Sequence, residues 1–157
     1  MTDISDKRLT GRYERLREQL QERFDADRAD TISRMATAVA LLHHKMPHFF
    51  WTGFYRLEGE RLVVGPYQGP LACAVLEGPE GVCWACVKER RSILVPNVQA
   101  FPGHVACDAR SQSEVVVPVR DTQGRILAVL DVDSRNQDAF SQVDVVGLEA
   151  IAALILA

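Results

Sequence analysis

Residues 114–133 constrain the fold of this chain more than any other stretch. Segments 114–120 and 125–133 are rich in valine and leucine and flank Asp121-Thr122-Gln123-Gly124, so they read as a β-hairpin closed by a four-residue turn. Val115, Val116, Val117, Leu127, Val129 and Leu130 leave little alternation between apolar and polar positions, which is the pattern of strands buried on both faces. Pro118 belongs where one ladder donor can be spared. Side chains alternate along a strand, so Asp131 and Asp133 share a face. With Arg120 opposite Arg125, counting back along both strands places Glu114 across from Asp131. Strand-end carboxylates are usually solvated, but the apolar neighbours argue that these three are buried together. Crowded in that way, each raises the pKa of the others, and at least one holds a proton near neutral pH. Such a patch can donate a proton or bind a cation.

The rest of the chain reads as helices at both ends with further strands between them. Tyr13, Leu16, Leu20 and Phe24 fall at helical spacing, and a second stripe follows through Ile32, Met35, Ala36, Val39 and Leu42. Segments 50–57 and 61–67 read as strands joined through Glu58-Gly59-Glu60, and a short strand is expected near 71–76. Gly78, Pro79 and Gly81 break the pattern ahead of a helix at about 82–90, with another strand at 92–95. Residues 96–113 form a long loop, and loops of that length in compact domains are commonly functional. Ser141 with Asp144 three residues on has the pattern of a capping box that starts a last helix through 156. This order predicts a single α+β domain over 1–157, with helices in 1–46, the sheet and active-site loops in 50–134 and a helix in 141–157. The terminal helices pack on one face of a mostly antiparallel sheet. A chain of 157 residues suits one core. A net charge of -3 without a basic run leaves no footprint for nucleic acid. The longest apolar stretch, 150–157, is too short for a membrane span, and the polar start lacks the apolar core of a signal peptide. A cytoplasmic location is the expectation.

In a reducing compartment four cysteines do not make a structural disulfide framework, which leaves metal ligands, reactive thiols or core residues. Cys107 precedes Glu114 by seven residues, close to the acids in sequence. As a thiolate it can attack an electrophilic sulfur while a neighbouring carboxylic acid protonates the departing oxygen; its other fate is that of a small buried hydrophobe. Cys83-Trp84-Ala85-Cys86 is a C-x-x-C with two readings, a dithiol redox pair or half of a zinc site completed by Cys73 and Cys107. Only one close-spaced pair exists, which counts against zinc. In the first turn of a helix beginning at Val82, the dipole would favour Cys83 as thiolate, while Cys86 reads as core. On 50–57, Trp51, Gly53 and Tyr55 share a face, and two aromatics separated by a glycine can leave a box for a methyl group, unless that face is plain core.

Taken together, Trp51-Thr52-Gly53-Phe54-Tyr55, Gly65-Pro66-Tyr67-Gln68-Gly69, Ala72-Cys73, Gly81-Val82-Cys83, the run from Ala100 through Pro102-Gly103-His104 to Cys107-Asp108, Ser113-Glu114 and Leu130-Asp131-Val132-Asp133-Ser134 resemble the free methionine-R-sulfoxide reductases, which are GAF domains. The resemblance runs in order from about Trp51 to Phe140. It implies reduction of free L-methionine-R-sulfoxide through a cysteine sulfenic acid and an intramolecular disulfide, with no metal or cofactor and with thioredoxin as external reductant. It further implies a catalytic thiol at Cys107, a resolving thiol at Cys73 and an auxiliary thiol at Cys83. Substrate contacts are implied for Trp51, Tyr55, Glu114, Asp131 and Asp133, and a homodimer is common in the family. Trp84 stands where the family usually has glycine, and Cys86 is outside its pattern, so the auxiliary role of Cys83 is the transfer most affected. The rival reading is a non-catalytic GAF sensor of a small molecule or of redox state. A sensor normally adjoins an effector domain, and this chain ends within its last helix, which favours a self-contained enzyme.

Overall fold

The computed structural model describes residues 4–157, so the first three residues of the expected helical span 1–46 lie outside the described residues. In chain order the elements are α1 (Ile4–Asp27), α2 (Thr31–Lys45), β1 (Trp51–Glu58), β2 (Arg61–Gln68), β3 (Val75–Glu77), α3 (Val82–Glu89), β4 (Ile93–Val95), β5 (Ser113–Arg120), β6 (Ile126–Ser134) and α4 (Gln142–Ala152). The strands make one sheet in the order β3-β2-β1-β6-β5-β4, and every neighbouring pair is antiparallel. This is the α+β architecture that hairpins flanked by terminal helices demand.

Alternation along the three central strands gives the sheet two different faces. Phe54 on β1, Val115, Val117 and Val119 on β5, and Ala128, Leu130 and Val132 on β6 join the stripes of α1, α2 and α4 in one apolar core. Phe54 is fully buried there, and side chains of that size each contribute about 1.5–3 kcal/mol through burial. Residues of opposite parity, Trp51, Tyr55, Val116 and Val129, pack instead with Val82, Cys83, Trp84 and Cys86 of α3. The terminal helices therefore share one face, as expected, and α3 with its flanking loops covers the other.

Short-range chemistry fixes the helix ends. Asp30 caps α2 by accepting from the Ser33 amide at 2.8 Å. Ser141 and Asp144 form the reciprocal capping box at the start of α4 that their spacing predicts. Asp144 also accepts from the Tyr13 hydroxyl at 2.7 Å. Tyr13 lies so close to Gly147 that a Cβ on that glycine would overlap the ring, and this closeness seats α1 on α4.

Three local expectations need correction. The short third strand occupies only Val75–Glu77, because residues 70–74 leave the sheet edge to carry Cys73 toward the loop after β4. The last helix ends at Ala152 and not at 156. In the β5–β6 hairpin Arg120 pairs with Ile126 and Val119 with Ala128, so Leu127 is the extra residue of a bulge and is exposed rather than buried. The turn extends through Arg125, which shifts the register by one residue, and the bulge shifts it by one more, so Glu114 lies opposite Asp133, not Asp131.

Candidate active site

Glu114, Asp131, Asp133, Trp51 and Tyr55 all project from the sheet face turned away from α1, α2 and α4. Asp133 is flanked by Glu114 on β5 and Trp51 on β1, and Asp131 pairs with Gly53. Glu114 and Asp131 are each only 6% exposed. Burial pushes Glu114 well above the usual carboxylate range, and the neighbouring charges of Asp131 and Asp133 add to it, as does the hydrogen bond it shares with Asp131. Asp133 is raised by burial and by Asp131, with a hydrogen bond to Ser111 opposing. For Asp131 burial again leads, but hydrogen bonds from Glu114 and Cys83 oppose it and hold the group at about 6. Burial and mutual repulsion thus favour protonation of Glu114 and Asp133, and Asp131, with two hydrogen bonds to its carboxylate, is the most readily ionised of the three.

Cys73 and Cys107 are joined in a disulfide that closes a loop of 34 residues, with Cα atoms 5.5 Å apart. Cys107 is exposed, and Cys73 is half-buried beneath the Tyr55 hydroxyl, which donates to its carbonyl oxygen at 2.9 Å. Two of the four sulfurs are thereby consumed, so the four-cysteine zinc arrangement is not formed. Cys83 and Cys86 are free thiols and both are buried. The expectation that the α3 dipole favours a Cys83 thiolate is overturned: burial, then Asp131, Glu114 and Asp133, drive its pKa well upward. Cys83 instead donates to Asp131 Oδ2 at 3.5 Å. Burial likewise pushes Cys86 up to about 12, in keeping with a core residue. Trp84 donates from Nε1 to the Leu76 carbonyl at 3.0 Å, pinning the segment before α3 onto the helix.

The aromatic face differs from the expected box. The Trp51 indole lies over Gly53, where a Cβ would collide with it, and the ring stacks on Tyr55 at 5.8 Å and on Tyr67 at 5.4 Å. The space above the glycine is filled by the indole itself. Seven of the eight expected site residues line one cavity of about 50 Å³, and Cys73 reaches it through its bond to Cys107. Two further residues shape the site and escape the sequence reading. Tyr67 backs the site by stacking on Trp51 and pairs with Gly53, but a bulge between Gly53 and Tyr55 shifts that register by one residue, so hairpin length alone does not supply it. His104 lines the cavity with a buried Nδ1 that has no hydrogen-bond partner and sits 4.0 Å from Glu114 Oε2; its place three residues before Cys107 was the available signal.

A disulfide at the mouth of a cavity floored by a proton-bearing acid cluster defines a thiol-based oxidoreductase, and residues 25–156 match the GAF domain family. The chain belongs to the free methionine-R-sulfoxide reductase family of GAF domains. It is 38% identical over 122 residues to the free methionine-R-sulfoxide reductase of Escherichia coli, covering 78% of this chain and 73% of that protein. The free methionine-R-sulfoxide reductase from Neisseria meningitidis, solved in complex with its substrate, superposes with a TM-score of 0.87 at 33% identity, covering 93% of this chain and 87% of that one. The Staphylococcus aureus enzyme in its reduced form gives a TM-score of 0.85 at 39% identity, covering 92% of both chains. Among the described residues no helix is long and apolar enough to cross a membrane.

Proposed function

We propose that this chain reduces free L-methionine-R-sulfoxide to L-methionine. The observation that carries the reading is the Cys73–Cys107 disulfide at the edge of a cavity that also holds the buried Glu114, whose surroundings favour its acid form. In the reduced protein Cys107 attacks the sulfoxide sulfur while Glu114 delivers its proton to the oxygen, because oxygen departs poorly from sulfur unless protonated. In the resulting adduct the hydroxyl passes from the substrate sulfur to Cys107 Sγ as the bond between the two sulfurs breaks. Methionine leaves with the electron pair, and Cys107 is left as a sulfenic acid. Cys73 condenses with it, releasing water and forming the disulfide, and an external dithiol of lower potential, thioredoxin, restores both thiols through a mixed disulfide. Such recycling belongs to a reducing, cytoplasmic setting.

Specificity follows from the same cavity. Asp131 carries the charge that holds the substrate ammonium, which a peptide-bound methionine lacks, so the free amino acid is favoured. The sulfoxide methyl rests against Trp51, and this handed placement of methyl, oxygen and lone pair selects one epimer. In this reading Asp133 lies beside the ammonium, Tyr55 backs the resolving segment, and Cys83 has no obligatory step.

A thioredoxin-coupled assay with free methionine-R-sulfoxide, the S epimer and a peptide-bound form tests the proposal. Turnover of the first substrate alone is expected, and loss of that turnover in Cys107→Ser with the fold intact. Absence of turnover in the wild-type protein, or substantial activity in Cys107→Ser, would overturn it.

A further inference from the structure

The reduction cycle leaves Cys83 without a step, yet its surroundings are built for a ligand. Its Sγ lies 3.5 Å from Asp131 Oδ2, and with a carboxylate oxygen of Glu114 the three candidate ligand atoms all lie within 4.8 Å of one another. The three residues are 4%, 6% and 6% exposed, so they are more than nine-tenths buried while still lining the cavity. The second Asp131 oxygen, Oδ1, is buried without any hydrogen-bond partner. An orphaned buried acceptor of this kind is destabilising until a donor or a cation arrives. Tetrahedral zinc, with Zn–S of about 2.3 Å and Zn–O of about 2.0–2.2 Å, places sulfur and oxygen roughly 3.6 Å apart. The Cys83–Asp131 separation already matches that edge. An ammonium group gains little from a neighbouring sulfur, whereas a borderline-soft metal ion does.

We propose that Cys83, Asp131 and Glu114 form a binding site for a thiophilic divalent cation, zinc(II) foremost. The fourth position faces the cavity, where the unpartnered Nδ1 of His104 stands 4.0 Å from Glu114 Oε2. None of these ligands takes part in the disulfide, which separates the site from a four-cysteine arrangement. The cation occupies the seat assigned above to the substrate ammonium, so the two exclude each other. The binding claim itself does not rest on that assignment, and failure of the reductase reading would leave the cation spectrum unaltered.

Cobalt(II) titrated into the oxidised protein tests this directly, because Cys73 and Cys107 are then unable to ligate. A thiolate-to-cobalt charge-transfer band in the near ultraviolet that saturates at one equivalent, and that zinc abolishes, is expected. Cys83→Ser should remove the band, Asp131→Asn should weaken binding roughly 10-fold or more, and Cys86→Ser should leave both unchanged. A band that survives Cys83→Ser, or no band at all in the wild-type protein, overturns the proposal. If Cys83→Ser does not fold, Asp131→Asn decides: an unchanged titration overturns the site, and a weakened one supports it.

Discussion

The hydroxyl of Tyr55 donates to the carbonyl oxygen of Cys73 at 2.9 Å, tying a central strand to one half of the disulfide. Replacing Tyr55 with phenylalanine keeps the ring stacked on Trp51 but leaves that carbonyl without its donor. The expected loss is about 0.5–1.5 kcal/mol in urea unfolding of the oxidised protein, together with faster reduction of the disulfide by dithiothreitol. An unchanged reduction rate would mean that the hydrogen bond does not order the Cys73 segment.

Gly53→Ala should be costly for its size. The added methyl meets both the Trp51 indole and Tyr67 Cβ, so the aromatic layer must lift off the sheet. Overpacking of this kind costs about 1–3 kcal/mol. A shifted tryptophan emission spectrum and a raised KM, with kcat altered less, are the expected readouts.

Glu114→Gln should be more stable than the wild-type protein at neutral pH while losing activity. An acid whose native pKa is raised holds its proton more tightly in the folded state, so stability is full below the unfolded value and falls as pH rises toward the native one. For Asp131 that window runs from 3.8 to about 6, and for Glu114 it extends further in the same direction. The amide escapes this cost. Denaturant unfolding should show a gain in stability at pH 7 that vanishes below about pH 4.

Asp144 carries the opposite sign. Burial alone would raise its pKa, but hydrogen bonds from His48, the Ser141 amide and Tyr13 together hold it below the usual range. Its contribution is present above the unfolded value and is lost as pH falls through the lowered native one. Asp144→Asn should therefore destabilise by about 1–3 kcal/mol at pH 7, with the difference shrinking in acid. Urea midpoints at pH 7 and pH 3 would check the trend.

The two-faced sheet and the capping box were legible because each depends on spacing within a single segment. Period-two alternation places Asp131 and Asp133 together whatever the turn does. Register was less accessible. Asp121 accepts from the amides of Gln123 and Arg125, both at 2.9 Å, and this turn expels Leu127 into a bulge that residue counting cannot see. The state of Cys83 was inaccessible for a related reason: the helix dipole is a local property, whereas the acids that oppose it come from β5 and β6. The pairing of Cys73 with Cys107 depends on the path of two irregular segments, and only the family resemblance pointed to it. Trp51 covering Gly53 is a matter of ring orientation, which alternation leaves open.

Because alternate residues of β6 serve opposite layers, the bulge at Leu127 acts as a phase marker for everything downstream. Leu127 is the unpaired extra residue, so deleting it should heal the ladder and leave Leu130 in the oily layer and Asp131 at the chemistry, whereas inserting a residue between Ala128 and Leu130 would exchange the two.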